Sequence, residues 1–452
     1  MIKIIVAVIS LLIIVFIISR KTKYFVVTPQ FAYVVSFIPS LVMLSLFIEK
    51  WRIDLDNRTI LLIIFGAVVF TVVSFASEKI IKNVRITISG SAKRNTSTIV
   101  LEEPLIKNST LVIFIVAGLI GVVSYLYYVA SFTGGFSLSN ISLILMNYRN
   151  AYNTENLDMP ALVSILSMIA TCIADYCVYY YCKNRLLLKG LGTKKFLLFL
   201  CWIPGVIIPL LSGARGGVIN FGMFVFAAAI INSTRELTVQ KKTIRIAIVV
   251  AIVAVATLRV GGIFMGRDIE VDAIDYIGMY LPAPIRNLDY VIQTENIGMF
   301  SGFGDSANRT FAKLLNFLSF RFGFEFTQAT EVRRTLMVNG YYTGNMYTVY
   351  YNLLHDAGFV GSLLLLALTA FLCQMFYAVI RKKVEGRERR YTSGIAYTLV
   401  YSYLFLSFFN ENFFYNVFTN YFVRQIIFFM LIDWFVRVTK VSSRYTDSDR
   451  DS

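Results

Sequence analysis

The chain is 452 residues long, 57% hydrophobic and only 15% charged, with a formal net charge of +16. This composition excludes an ordinary soluble globular domain and an intrinsically disordered chain. The cations are scattered over many short links instead of forming one patch, which speaks against nucleic acid as a partner.

A helix needs roughly 20 mostly apolar residues to cross the ~30 Å hydrocarbon layer. About eleven runs qualify, with a range of 10–12: residues 2–19, 25–48, 60–76, 110–131, 159–182, 196–211, 214–231, 245–265, 357–380, 391–409 and 418–436. The first looks like a secretory signal, yet no small-residue cleavage site follows Ile18 and the chain continues Arg20-Lys21-Thr22-Lys23, so it reads as a retained span. The expected architecture is an all-α polytopic membrane protein, with one integral membrane domain over residues 1–452.

Orientation follows from Lys and Arg, which hold short loops in the cytoplasm. The links 20–24, 77–109, 183–195, 232–245 and 381–390, with the tail 437–452, carry 28 of the 43 cations when placed on one side. The N-terminus then lies outside, the tail is cytoplasmic, and two larger segments are extracytoplasmic. The smaller, 133–158, contains Gly134-Gly135 and Arg149. The larger, 259–345, carries eight cationic and nine acidic side chains, and a charge-balanced polar segment on one face of a lipid-embedded chain is where a site is expected. Within it, Thr310 to Phe324 reads as helical, lying along the membrane interface or dipping into it.

Three stretches concentrate chemistry. Ser212-Gly213-Ala214-Arg215-Gly216-Gly217 forms an outer junction between two short spans, after Pro204 and Pro209. Its glycines allow close backbone approach, N–H groups at the start of the next helix favour an anion, and the Arg215 guanidinium suits phosphate oxygens; a tight hairpin with an interfacial arginine reads equally well. Arg259 falls in the outer part of span 245–265, where a charge faces a cavity or partner unless it snorkels to the surface. The third stretch runs from Gly344-Asn345-Met346-Tyr347-Thr348 to Asp356-Ala357-Gly358-Phe359-Val360-Gly361 and leads into the ninth span. Asp175, near the inner end of the fifth span, is expected to pair with Lys183 or Arg185. Cys172, Cys177, Cys182, Cys201 and Cys373 all fall in spans and act as small apolar residues. With His355 the one histidine, a zinc site of the His/Cys type is not expected.

The third stretch resembles the Asn-x-Tyr-Thr and Asp-x-Gly-x-x-Gly signature of the oligosaccharide repeat unit polymerases, the Wzy family of O-antigen and capsular polysaccharide polymerases. Ser212 to Gly217 is similar to the Ser-Gly-x-Arg-Gly segment of the same family. The resemblance implies a GT-C-like helical bundle whose large extracytoplasmic loop contains short helices. It also implies a glycosyltransferase of the bacterial inner membrane that moves a growing glycan from undecaprenyl pyrophosphate onto the next lipid-linked repeat unit. Such a transfer inverts the anomeric carbon and uses no metal and no other cofactor. The implied partners are the undecaprenyl-pyrophosphate-linked oligosaccharide and, in the same membrane, a chain-length regulator and a flippase.

Arginines that would grip the leaving pyrophosphate are Arg215, Arg259 and Arg286, with Arg333, Arg334 and Arg267 behind them. Arg267 with Gly278 and Arg333 with Gly344 match an Arg, ten residues, Gly pattern associated with the family. The base that takes the acceptor proton is open among Asp356, His355 and Glu411, and Asp356 reads equally as the cap of the ninth span. Asn345, Tyr347 and Tyr350 are the glycan-binding candidates, against an aromatic belt at the interface. Two other functions stay open: an O-antigen ligase, which the family resemblance would give a histidine where this chain has Gly344, and a flippase for the lipid-linked unit.

Overall fold

Lipid offers no hydrogen bonds to the backbone, so an apolar run that crosses it must satisfy its own N–H and C=O groups as a helix. The computed structural model describes residues 1–22, 24–88, 105–132, 141–154, 159–185, 187–212, 215–233, 272–300, 310, 315, 318–319, 322–323, 335–384 and 391–448. Among these, seven helices are long and apolar enough to cross a membrane: Ile2–Lys21, Pro29–Leu46, Asn57–Ile81, Asn108–Ser131, Ala161–Lys183, Gly192–Leu211 and Tyr350–Ile380. They coincide with expected spans one to six and nine. Three more helices coincide with spans seven, ten and eleven: Arg215–Ser233, Tyr391–Phe405 and Asn420–Ser448. The apolar stretch of the first is Gly216–Asn232, the second has 15 residues, and the third carries Arg424, Asp433 and Arg437 along its length. The protein is an all-α polytopic membrane protein; among the described residues the regular strands are one small hairpin.

Several expectations lie outside the described residues: span 245–265, most of the helix from Thr310 to Phe324, Arg259, Arg267, Arg333, Arg334, the side chain of Arg215, and parts of 133–158 and of the tail.

The chain forms two compact units. One comprises Met1–Arg94, Val271–Glu385 and Val400–Val423; the other comprises Asn95–Glu270, Gly386–Leu399 and Arg424–Ser452. In the first unit, helix α1 (Ile2–Lys21) buries Ile4, Ala7, Leu11, Ile14 and Ile18, a three-four spacing that makes one stripe. Ile5, Ile9, Leu12, Ile13 and Phe16 stay exposed on the rest of the helix, an apolar face that suits lipid. Against the stripe pack α2 (Pro29–Leu46) and α3 (Asn57–Ile88). Tyr33 of α2 stacks on Phe70 of α3 with centroids 4.4 Å apart, and its hydroxyl lies 2.6 Å from that of Tyr350.

Tyr350 opens α12 (Tyr350–Val384), which is not one straight helix. Gly358 has φ 69° and ψ −170°, a conformation essentially reserved for glycine. The packing requires the bend. A Cβ placed on Gly66 would meet both Tyr350 Cζ at 2.8 Å and Leu366 Cδ2 at 3.1 Å. A straight helix would hold those two Cα atoms about 24 Å apart, farther than the two side chains can bridge. The chain therefore turns sharply at Gly358, and the run from Phe359 onward is the span, in agreement with the start expected at residue 357.

In the second unit, α4 (Asn108–Ser131) and α6 (Ala161–Lys183) pack closely. Small residues permit it: a Cβ on Gly121 would sit 2.7 Å from the Leu166 carbonyl oxygen. The sixth span, Gly192–Leu211, is divided by a tight turn at Cys201-Trp202, before Pro204, into α7 (Gly192–Leu200) and α8 (Ile203–Leu211). Helix α9 (Arg215–Ser233) then packs its Gly217 on Pro209 of α8. The expected pairing of Asp175 is not the one formed: Lys183 lies over the Tyr391 ring, 3.8 Å from its centroid, and Asp175 is buried inside α6.

Candidate functional site

The polar segment of the first unit is built from α10 (Ala273–Tyr280), α11 (Ala283–Thr294) and a hairpin of β1 (Leu336–Val338) and β2 (Tyr341–Gly344). The hairpin turns at Asn339-Gly340, with φ of 49° and 79°. Positive φ at both central residues is the mirror-image turn that matches strand twist, and Asn-Gly is its preferred sequence. The register, Val338 opposite Tyr341 and Met337 opposite Tyr342, slips before Leu336 meets Gly344. Asn339 donates to the Lys50 carbonyl at 3.1 Å. Lys50 also pairs with Asp275, and that hydrogen bond raises its ammonium above the ordinary value.

Helix α11 is bolted to the start of α3 through Asp289, which is fully buried. Its carboxylate accepts from Asp56 N at 2.8 Å, Thr59 Oγ1 at 2.7 Å, Gln293 Nε2 at 2.7 Å and Arg286 Nη1 at 3.0 Å. Burial pushes the Asp289 carboxyl above the usual range, while the Thr59 and Asp56 hydrogen bonds and the Arg286 charge pull it back down. Asp56 is itself held low by its hydrogen bonds with Arg58. Asn287, next to Arg286, donates its amide to Thr343 O at 3.2 Å and Met346 O at 2.9 Å, tying the hairpin exit to α11.

From the hairpin the chain runs through Asn345, which is exposed, to Tyr347, which is 1% exposed. The first half of α12 then presents an aromatic ladder. Tyr347 stacks on Tyr351 at 4.2 Å, and Tyr351 meets the His355 ring edge-on at 4.6 Å. Residues 351 and 355 share a face because they are four apart on a helix. Val291, Ile297 and Leu336 pack around the tyrosines. At the end of the ladder His355 Nε2 lies 3.3 Å from Glu295 Oε2, with side chains 13% and 41% exposed. The two groups are within ion-pair distance should the imidazole be protonated, and the contact is not an aligned hydrogen bond.

The remaining acids are engaged elsewhere. Asp356, 1% exposed, accepts from Thr310 N at 2.6 Å. Glu411, also 1% exposed, accepts from Phe414 N at 2.7 Å and Tyr415 N at 3.0 Å. It thus caps the short helix α14 (Phe413–Val417). Tyr350 is packed inside the helices against Tyr33 and Gly66.

The break in α12 is sealed from this segment. Phe359 and Val360 begin a new helix and have no acceptors behind them; they donate instead to Gly298 O at 3.2 Å and Met299 O at 2.8 Å. A Cβ on Gly358 would lie 2.5 Å from the Gly298 oxygen. Residues 295–299 are therefore fixed at both ends, since Glu295 N donates to Val291 O at 2.9 Å.

Of the sequence-derived candidates, Tyr347 and His355 are brought to one place, joined by Tyr351 and Glu295. Arg286 is not: it stands nine residues before Glu295, about 13 Å along α11, and is bound to Asp289. Arg215 opens α9 in the second unit. In the sequence Asp289 stands among the acids interleaved with the loop arginines, where structural ion pairs are expected, and it pairs with Arg286. Glu295 and the hairpin were not foreseen; Asn339-Gly340 was a readable signal for the hairpin, and Glu295 has no local motif. Compared with protein-family models, curated proteins and solved structures, the chain finds no match in any of the three.

Proposed function

We propose that this chain is a membrane-embedded glycosyltransferase that polymerises undecaprenyl-pyrophosphate-linked repeat units into surface polysaccharide at the outer face of the bacterial plasma membrane. The resemblance of residues 344–361 and 212–217 to the repeat unit polymerases motivates the reading. The observation that carries it is the build of α12, in which a half-helix bearing His355 and Asp356 ends at Gly358 where a span begins, beneath a polar segment that seals the break. A lipid-linked donor keeps its diphosphate at the membrane surface and its sugars in water, so its reacting carbon belongs at this level.

In this reading the N-terminus and residues 259–345 face outward and the tail is cytoplasmic. His355 takes the proton of the acceptor hydroxyl, whose oxygen attacks the anomeric carbon while the bond to the diphosphate oxygen breaks. Undecaprenyl pyrophosphate leaves with the bonding electrons, and fixed guanidinium groups stabilise its charge. Arg333 and Arg334, which belong to the same unit as His355, are the arginines for that role; Arg215, Arg259 and Arg267 remain expectations from the sequence, and Arg286 holds Asp289. Asp356 and Glu411 shape the site without exchanging protons.

The test is elongation of purified lipid-linked repeat unit by the full-length chain in proteoliposomes, with a flippase and a chain-length regulator absent. The expected products are ladders of two or more repeat units with inverted linkage. Transfer only to a different acceptor would reassign the chain as a ligase, and translocation without elongation would make it a flippase.

A further inference from the structure

The one histidine of the chain stands against a carboxylate sixty residues earlier in the sequence. We infer that Glu295 is a positioning residue: its carboxylate sets the orientation of the His355 imidazole and stabilises the imidazolium that forms when His355 accepts a proton. The inference rests on the glycosyltransferase reading and names the residue on which its base depends.

Three observations converge. His355 is held on two sides, by the Tyr351 ring at 4.6 Å and by Glu295 at 3.3 Å. Glu295 is not on a loose loop, because its own N–H bonds Val291 O and the carbonyls three and four residues on bond Phe359 and Val360 N–H across the Gly358 break. The pair is also reachable: Glu295 is 41% exposed and His355 13%, so an acceptor sugar can approach from the Glu295 side. Among the described residues, the titratable groups recorded against His355 are Glu295 from the end of α11 and Tyr351 from its own half-helix, while the neighbouring Asp356 accepts from Thr310 N.

A carboxylate beside the ring favours the charged imidazole and so strengthens the base. The acceptor O–H proton passes to the imidazole, the oxygen forms its bond to the anomeric carbon, and the lipid diphosphate departs. The imidazolium then returns its proton to solvent. The off-line geometry of the contact is usual for a site without substrate, where such bonds tighten only in the reacting complex.

Because there is one histidine, isotope-labelled histidine in the full-length protein gives a single imidazole signal whose titration is read without any turnover. In Glu295→Gln the midpoint should move to lower pH, and in Glu295→Asp it should lie between the two. In the elongation assay Glu295→Gln should lower kcat about 10–100-fold, below the roughly 10²–10⁴-fold that general base catalysis as a whole contributes, with KM for the lipid-linked acceptor within about twofold. Combining it with His355→Asn should add no further loss, as expected of residues acting as a unit. A thermal unfolding profile unchanged from the parent verifies that the Glu295→Gln protein is folded. An unshifted titration overturns the inference whether or not the chain elongates glycans. A shifted titration with unchanged kcat overturns the catalytic role alone. If the parent chain elongates nothing while the titration shifts, the glycosyltransferase reading fails and the role of Glu295 in it fails too, but the pair itself stands.

Discussion

Gly358→Ala tests the architecture on which the site depends. The substitution forces an alanine into φ 69°, ψ −170°, a region that costs a residue with a Cβ about 1–3 kcal/mol. The new methyl would lie 2.5 Å from Gly298 O and 3.1 Å from Met299 O, so these carbonyls must withdraw. Two hydrogen bonds, to Phe359 and Val360, are then lost or lengthened, each worth roughly 1 kcal/mol. The expected total is about 3–5 kcal/mol, on the order of 10 °C in thermal midpoint if the first unit unfolds as one block. The assay is thermal unfolding of purified protein in detergent by tryptophan fluorescence, with amide exchange at Phe359 and Val360 as the local readout. Gly222→Ala is the control, since nothing lies within 4 Å of its Cβ, and it should be neutral to within about 1 kcal/mol. A Gly358→Ala protein that melts with the parent and keeps both amides protected would refute the bend.

Asp289→Asn removes the charge that holds Arg286 and cannot accept all four donors, so it should destabilise by about 3 kcal/mol, as when one partner of a buried pair is deleted. The sign with pH is definite. Because the folded carboxyl sits above its ordinary value of 3.8, the folded state binds more protons than the unfolded one between that value and its own raised one. Its contribution to stability is largest at the acid end of that window and declines as pH rises through it; the decline should be absent from pH-dependent melting of the variant. Glu411→Gln should lose about 1 kcal/mol through its helix cap yet elongate glycans at the parental rate; a collapse of turnover with normal folding would return Glu411 to the chemistry. Arg215→Ala should leave the protein in the membrane while surface glycan shortens to single repeat units, and a normal chain-length pattern on gels would remove Arg215 from pyrophosphate binding.

The positions of the motif residues explain why a signature can be legible while its chemistry is not. Gly358 and Asp356 stand out in sequence as Asp-x-Gly, which invites a catalytic reading. In the fold the glycine makes a break in α12 and the aspartate anchors Thr310 N. Glu411 is likewise turned to helix-capping amides. His355 had no motif of its own, and the residue that gives it a role is Glu295, at the end of a different helix. Among the arginines, Arg286 is bound by Asp289, a partner three residues on whose carboxylate also accepts from Asp56 N and Thr59 Oγ1, far earlier in the chain.

What the amino-acid order alone determined is the class of molecule. Long apolar runs have a single solution in lipid, a helix with every backbone group satisfied within the segment, so the spans were readable one at a time with no knowledge of their neighbours. The hairpin was equally local, carried by Asn339-Gly340. The pairing of Glu295 with His355, the burial of Asp289 and the bend at Gly358 were decided only by tertiary structure. Each depends on groups far apart in the chain meeting at one point: Glu295 with His355, Asp289 with Asp56 and Thr59, the Gly298 and Met299 carbonyls with a helix start more than fifty residues later. Local periodicity carries no record of such meetings, because the physics that selects them is packing and desolvation between elements.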